Sequence, residues 1–84
     1  VRIVFKLFAT LQDFLPAEAQ RTSTMTIELA EDTKIIDVIE RFSIPRAMCH
    51  LVLVDGFYIP PAQWDSRVLR DGETLAIWPP VAGG

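Results

Sequence analysis

The sequence predicts an α+β domain in which a mixed sheet packs against one main helix. Three observations carry this expectation: strand-period patterning at residues 2–8 and 74–78, a helical-period apolar stripe between Thr33 and Ser43, and a chain of 84 residues of which 50% are hydrophobic. A chain of this length buries only about 60% of the surface its unfolded form exposes, which allows one small core and no second domain.

Residues 2–8, RIVFKLF, place Ile3, Phe5 and Leu7 on one face and Arg2, Val4, Lys6 and Phe8 on the other, a half-buried strand. ATLQDFLP then sets Leu11, Phe14 and Leu15 at helical spacing before Pro16. The polar stretch AEAQRTS reads as a loop, and TMTIELA as a second strand, antiparallel to the first, with Met25, Ile27 and Leu29 inward. The main helix runs from Thr33 to about Ser43. Ile35, Ile39 and Phe42 form its stripe, Ile36 and Val38 widen it, Asp32 or Thr33 caps its start and Pro45 ends it. HLVLVDG is a strand that breaks at the Asp55-Gly56 turn, FYI resumes it briefly, and PPAQWDSRVLRDGE is turn-rich, with a tight turn at Asp71-Gly72. TLAIW is the final strand, with Leu75 and Ile77 inward. The order β, β, α, β, short β, β fits a β-grasp roll over residues 1–78, followed by a tail over 79–84.

Composition excludes several classes of function. Only 23% of residues are charged, too few for a disordered chain, and no apolar run approaches the roughly 20 residues of a membrane span. The start VRIVFKLFATL lacks the pattern of a signal peptide, so a cytoplasmic location is expected. One cysteine and one histidine are too few for a zinc or iron–sulfur site, so no metal is expected. A net charge of -3 without a Lys/Arg cluster argues against nucleic acid and anionic membranes and suits a basic protein partner.

The tail, Trp78-Pro79-Pro80-Val81-Ala82-Gly83-Gly84, has a mechanical logic. Each proline fixes φ and removes a backbone donor, so Pro79-Pro80 stops the sheet ladder and projects the chain from the body. Gly83 and Gly84 lack a Cβ and fit a channel too narrow for side chains. KLFATLQDFLP, the helix, LVLVDG, LRDGE and AIWPPVAGG together give the chain its family character. The sequence resembles the ubiquitin-like sulfur carriers of the MoaD/ThiS family over nearly its whole length. The double proline before Gly-Gly is most similar to the MoaD branch, the small subunits of molybdopterin synthase.

The resemblance implies a carrier rather than an enzyme. An E1-like enzyme of the MoeB/ThiF type adenylates the Gly84 carboxylate with ATP, and a persulfide sulfurtransferase supplies the sulfur of a thiocarboxylate. A MoaE-type large subunit then uses it to build molybdopterin. No cofactor is expected on the carrier itself. Other acceptors share this chemistry: thiamine thiazole, cysteine, thiolated tRNA and a tungsten cofactor. A protein modifier that joins its terminal glycine to lysines is a further reading, and an interaction domain with an incidental Gly-Gly is the plainest.

Alternation also turns Phe8 and Trp78 away from the core. In a β-grasp sheet the first and last strands are parallel neighbours, which brings both aromatics to the root of the tail as a partner-binding patch. Tyr58, at an interface position of the family, joins it, as do Pro79, Pro80, Val81 and Ala82 of the tail. The plain alternative is the apolar surface that any small domain shows. Cys49-His50 suggests an activated thiol, but neighbours in an extended segment point oppositely, which favours ordinary packing. Glu31-Asp32 reads as helix-start charge rather than as paired catalytic acids.

Overall fold

A computed structural model describes residues 1–80. The expectations for Val81, Ala82, Gly83 and Gly84 lie outside the described residues.

Five strands form one sheet: β1 (Arg2–Leu7), β2 (Thr24–Glu28), β3 (Leu51–Val54), β4 (Phe57–Tyr58) and β5 (Thr74–Trp78), in the order β2-β1-β5-β3-β4. β1 pairs antiparallel with β2 and parallel with β5; β3 is antiparallel to β5 and β4. This is the mixed β-grasp sheet that the order of elements fits and the family resemblance implies. Its inner face carries Ile3, Phe5, Leu7, Ile27, Val52, Val54, Leu75 and Ile77, all buried. The main helix, α2 (Ile35–Arg41), covers that face with buried Ile35, Val38 and Ile39, while Phe42 packs its ring 4.7 Å from that of Phe5.

Two local expectations are corrected. AEAQRTS is not all loop: a one-turn helix, α1 (Ala17–Gln20), follows Pro16. Pro16 is the cap residue, outside the helical region at φ -56° and ψ 151°, the Ala19 N–H donates to its carbonyl at 2.8 Å, and Ala19 is buried. Two alanines in an otherwise polar run, of which only Ala19 is buried, carry no helical periodicity to read. The second correction is the start of α2, where neither Asp32 nor Thr33 is the cap. The Leu69 N–H donates to Thr33 (2.8 Å), the Ile35 N–H donates to Arg67 (3.1 Å), and Lys34 bridges to Val68. Those bonds hold residues 33–34 extended, so the helix begins at Ile35, and the Asp37 carboxylate turns back to accept the Lys34 N–H at 2.8 Å. Glu31-Asp32 therefore lies in the preceding turn, with Asp32 at φ 66° and the Thr33 hydroxyl donating to the Ala30 carbonyl at 2.6 Å.

The end of α2 comes before Pro45. Ser43 takes φ 57°, its N–H donates to Glu40 (3.0 Å), and the Ile44 N–H donates to Ile39 (3.1 Å). This reversal satisfies the last carbonyls and tucks Ile44 into the core. Between β3 and β4, Asp55 and Gly56 both have positive φ, the signature of a two-residue hairpin turn. The Asp55 carboxylate accepts the Thr74 N–H at 2.8 Å, tying that turn to β5. In the turn-rich segment Trp64 is a core residue, only 1% exposed, and its indole N–H donates to the Ile59 carbonyl at 2.9 Å.

Candidate functional site at the root of the tail

Among the described residues, the main helix lies on the inner face of the sheet, and the outer face can be read in rows because paired residues share a face. One row runs Thr24, Lys6, Ala76, Leu53, Tyr58; the next, toward the tail, begins with Trp78 opposite Leu51. Phe8 lies just past the end of β1, where its N–H still donates to the Ile77 carbonyl at 3.1 Å. The His50 N–H donates to the Trp78 carbonyl at 2.9 Å, so the sheet ladder persists to the last residue before the prolines.

Phe8 and Trp78 meet as expected. Their rings stack with centroids 4.2 Å apart and planes 7° from parallel, and both remain partly exposed. Pro79 is buried and Pro80 is exposed. Tyr58 is 54% exposed on the same face, but it sits on the edge strand, two strands from Trp78 or about 10 Å across the sheet. Half-buried Leu51 and Leu53 of β3 fill the interval. Sequence reading assigned neither leucine to the patch; the β3–β5 register reveals them, and it follows only once the topology is known. It also passed over Phe57, which is 75% exposed beside Tyr58.

Charge on this face is sparse. Arg2 and Glu28 pair at 2.6 Å at the end far from the tail, and the hydrogen bond first and then the charge of Arg2 hold the Glu28 carboxyl below its usual range. Lys6 makes no ion pair among the described residues.

The other singled-out residues separate. Cys49 is buried, and burial pushes its thiol up despite the opposing charge of Arg46; His50 is exposed. They form no nucleophile–base pair. Glu31 and Asp32 are exposed turn residues. Among the described residues, no cluster of three or more His, Cys, Asp or Glu is placed to hold a metal, and no helix is long and apolar enough to cross a membrane.

The fold is shared with several small proteins. SAMP1 from Haloferax volcanii is 22% identical with a TM-score of 0.67, covering 100% of both chains. A putative molybdopterin converting factor, subunit 1, from Pyrococcus furiosus is 24% identical with a TM-score of 0.66, covering 96% of this chain and 99% of its own. The thiamine biosynthesis protein ThiS from Geobacter metallireducens is 14% identical with a TM-score of 0.61, over 96% and 99%. No curated protein matches the chain. The model of the Mut7-C ubiquitin family matches residues 1–83. The ubiquitin-like resemblance read from the sequence is thereby borne out, and the chain belongs to the Mut7-C ubiquitin family, on the fold of the MoaD/ThiS proteins.

Proposed function

We propose that this protein is a sulfur carrier for molybdopterin synthesis, its Gly84 carboxylate being converted to a thiocarboxylate. The observation that supports it is the Phe8–Trp78 stack, at the end of β5 that leads in sequence into Pro79-Pro80-Val81-Ala82-Gly83-Gly84. A partner that takes up the tail meets this stack first.

A carboxylate with pKa near 3.5 is ionised at neutral pH and is a poor electrophile. One carboxylate oxygen attacks the α-phosphorus of ATP on an E1-like enzyme of the MoeB/ThiF type, and pyrophosphate leaves. The terminal sulfur of a persulfide sulfurtransferase attacks the acyl carbon and AMP leaves; a second thiol then cleaves the S–S bond to free the thiocarboxylate. A MoaE-type large subunit consumes the sulfur. The carrier supplies a body to grip, a stiff stalk and a terminus without side chains; it binds no cofactor and its partners perform the catalysis. The name of the Pyrococcus relative, subunit 1 of a converting factor, supports action within an assembly.

The likeness to ThiS supports a second reading, the same chemistry directed to a thiamine thiazole acceptor. Both readings require activation at Gly84, which one experiment tests. Removing Gly84, or adding a residue beyond it, abolishes ATP-dependent thiocarboxylate formation and leaves the melting temperature unchanged, because the tail adds little to the core. Gly83→Val blocks adenylation by the same logic. Equal thiocarboxylate yields from truncated and full-length chains overturn the proposal, and transfer of the sulfur to a thiazole synthase rather than a large subunit selects the second reading.

A further inference from the structure

Lys6 stands apart from the other charged groups of the sheet. It occupies β1, inside the sheet rather than at an edge, in a row between Thr24 and Ala76, with the Phe8–Trp78 stack on one side and the Arg2–Glu28 pair on the other. Its neighbours across the row toward β4 are apolar or aromatic: Ala76, Leu53, Tyr58. Ala76, flanked in register by Lys6 and Leu53, is only 7% exposed, and half-buried Lys6 lies beside it on an apolar stretch of the row. Lysine does this by laying its aliphatic stem on apolar surface while its ammonium stays in water. A partner that covers the stack would also desolvate the ammonium, at a cost that only an opposite charge offsets.

We infer that the protein docking on this face presents a carboxylate to Lys6, within an otherwise apolar contact, and that Lys6 selects that partner. The inference deepens the carrier reading and rests on it. The partner is the adenylating enzyme, because activation of the terminus precedes every fate of the tail and its enzyme must approach the face from which the tail departs. The overall acidity of the chain points toward a basic partner, but the cation of this sheet row, Lys6, makes no ion pair among the described residues, and a charge at contact distance outweighs screened, distant ones.

The test measures ATP–pyrophosphate exchange by the purified E1-like enzyme of the same host, with the full chain as carrier substrate. Lys6→Glu raises the KM for the carrier about tenfold or more at low salt and leaves kcat unchanged, and the penalty shrinks as salt is added. Lys6→Met, which keeps the stem, raises KM by less. Arg21→Glu, an exposed site in the turn after α1, makes the same change in net charge and leaves KM near the wild-type value. Melting curves of the Lys6 variants match wild type, which excludes misfolding as the cause. Equal KM values for wild type and Lys6→Glu overturn the inference while leaving the carrier reading intact, as does an equal rise in Arg21→Glu. Absence of exchange with the wild-type carrier overturns the carrier reading, and this inference with it.

Discussion

Trp64 and Trp78 show how burial separates stability from binding at the scale of one residue. Trp64 is enclosed, with its indole N–H satisfied and the Arg46 guanidinium 4.9 Å from its ring centroid, whereas Trp78 is half-buried and stacks on Phe8. Trp64→Ala should cost about 3–5 kcal/mol in urea denaturation, as expected for truncating a buried aromatic. Trp78→Ala should cost clearly less, about 1–2 kcal/mol, since it loses one stacking contact and partial burial. Its larger effect should be on affinity for the adenylating enzyme, about thirtyfold, as for a central aromatic hot spot. A Trp78→Ala protein as unstable as Trp64→Ala, whose folded fraction binds normally, would place Trp78 in the core. The facing of Trp78 was legible because the alternation of TLAIW continues through it. That of Trp64 was not: it sits among turn residues without periodicity, and it joins the core cluster and bonds Ile59 only through tertiary folding.

The same limit operates on whole elements. Helix α2 was legible from Ile35, Val38 and Ile39, but its first turn was not, because pairing with residues 67–69 holds Thr33 and Lys34 extended. Its far end relies on Ser43 at φ 57°, a conformation that favours glycine, and the Ser43 side chain is exposed. Ser43→Gly should therefore stabilise the protein by about 0.5–1 kcal/mol, with the relief of backbone strain exceeding the added flexibility of the unfolded chain. A lower denaturation midpoint for this variant would contradict the strain.

The segment entering β5 is tied by Glu73, whose carboxylate accepts from Arg67 at 2.7 Å and from the Arg70 backbone at 2.6 Å. Burial pushes that carboxyl up, but the two hydrogen bonds and the arginine charges outweigh it and hold it below the usual range. A carboxylate depressed in the folded state stabilises the protein above its unfolded pKa, and the contribution is lost as pH falls through the folded value. Stability should thus decline below about pH 4.3. Glu73→Gln should be less stable at neutral pH and show a flatter acid limb in melting temperature against pH. An unchanged acid slope would move the effect elsewhere, Glu28 being the other depressed carboxyl, although full exposure leaves its pair with Arg2 little weight.

For the molecule as a whole, the parallel β1–β5 pairing is the feature on which the rest depends. It sets the strand that leads into the tail inside the sheet, between β1 and β3, and it brings Phe8 and Trp78 into register at the end where the chain departs. The order of elements could be read from hydrophobic period, and their arrangement followed from the family resemblance rather than from period alone. The leucines of β3 and the position of Lys6 among them emerged only from the register. Among the described residues, the part of this face beside Trp78 thus joins Ala76, Leu51, Leu53 and the Phe8–Trp78 stack to Lys6, which makes no ion pair there.

The central claim is that Gly84 is the reactive terminus, and the intact mass of the protein purified from its own host tests it most directly. A fraction should carry the increment for replacement of one carboxyl oxygen by sulfur, the increment should map to Gly84, and it should disappear when the host's adenylating enzyme is deleted. A mass showing only the unmodified carboxylate under conditions of active cofactor synthesis, or a polypeptide that continues past Gly84, would contradict it.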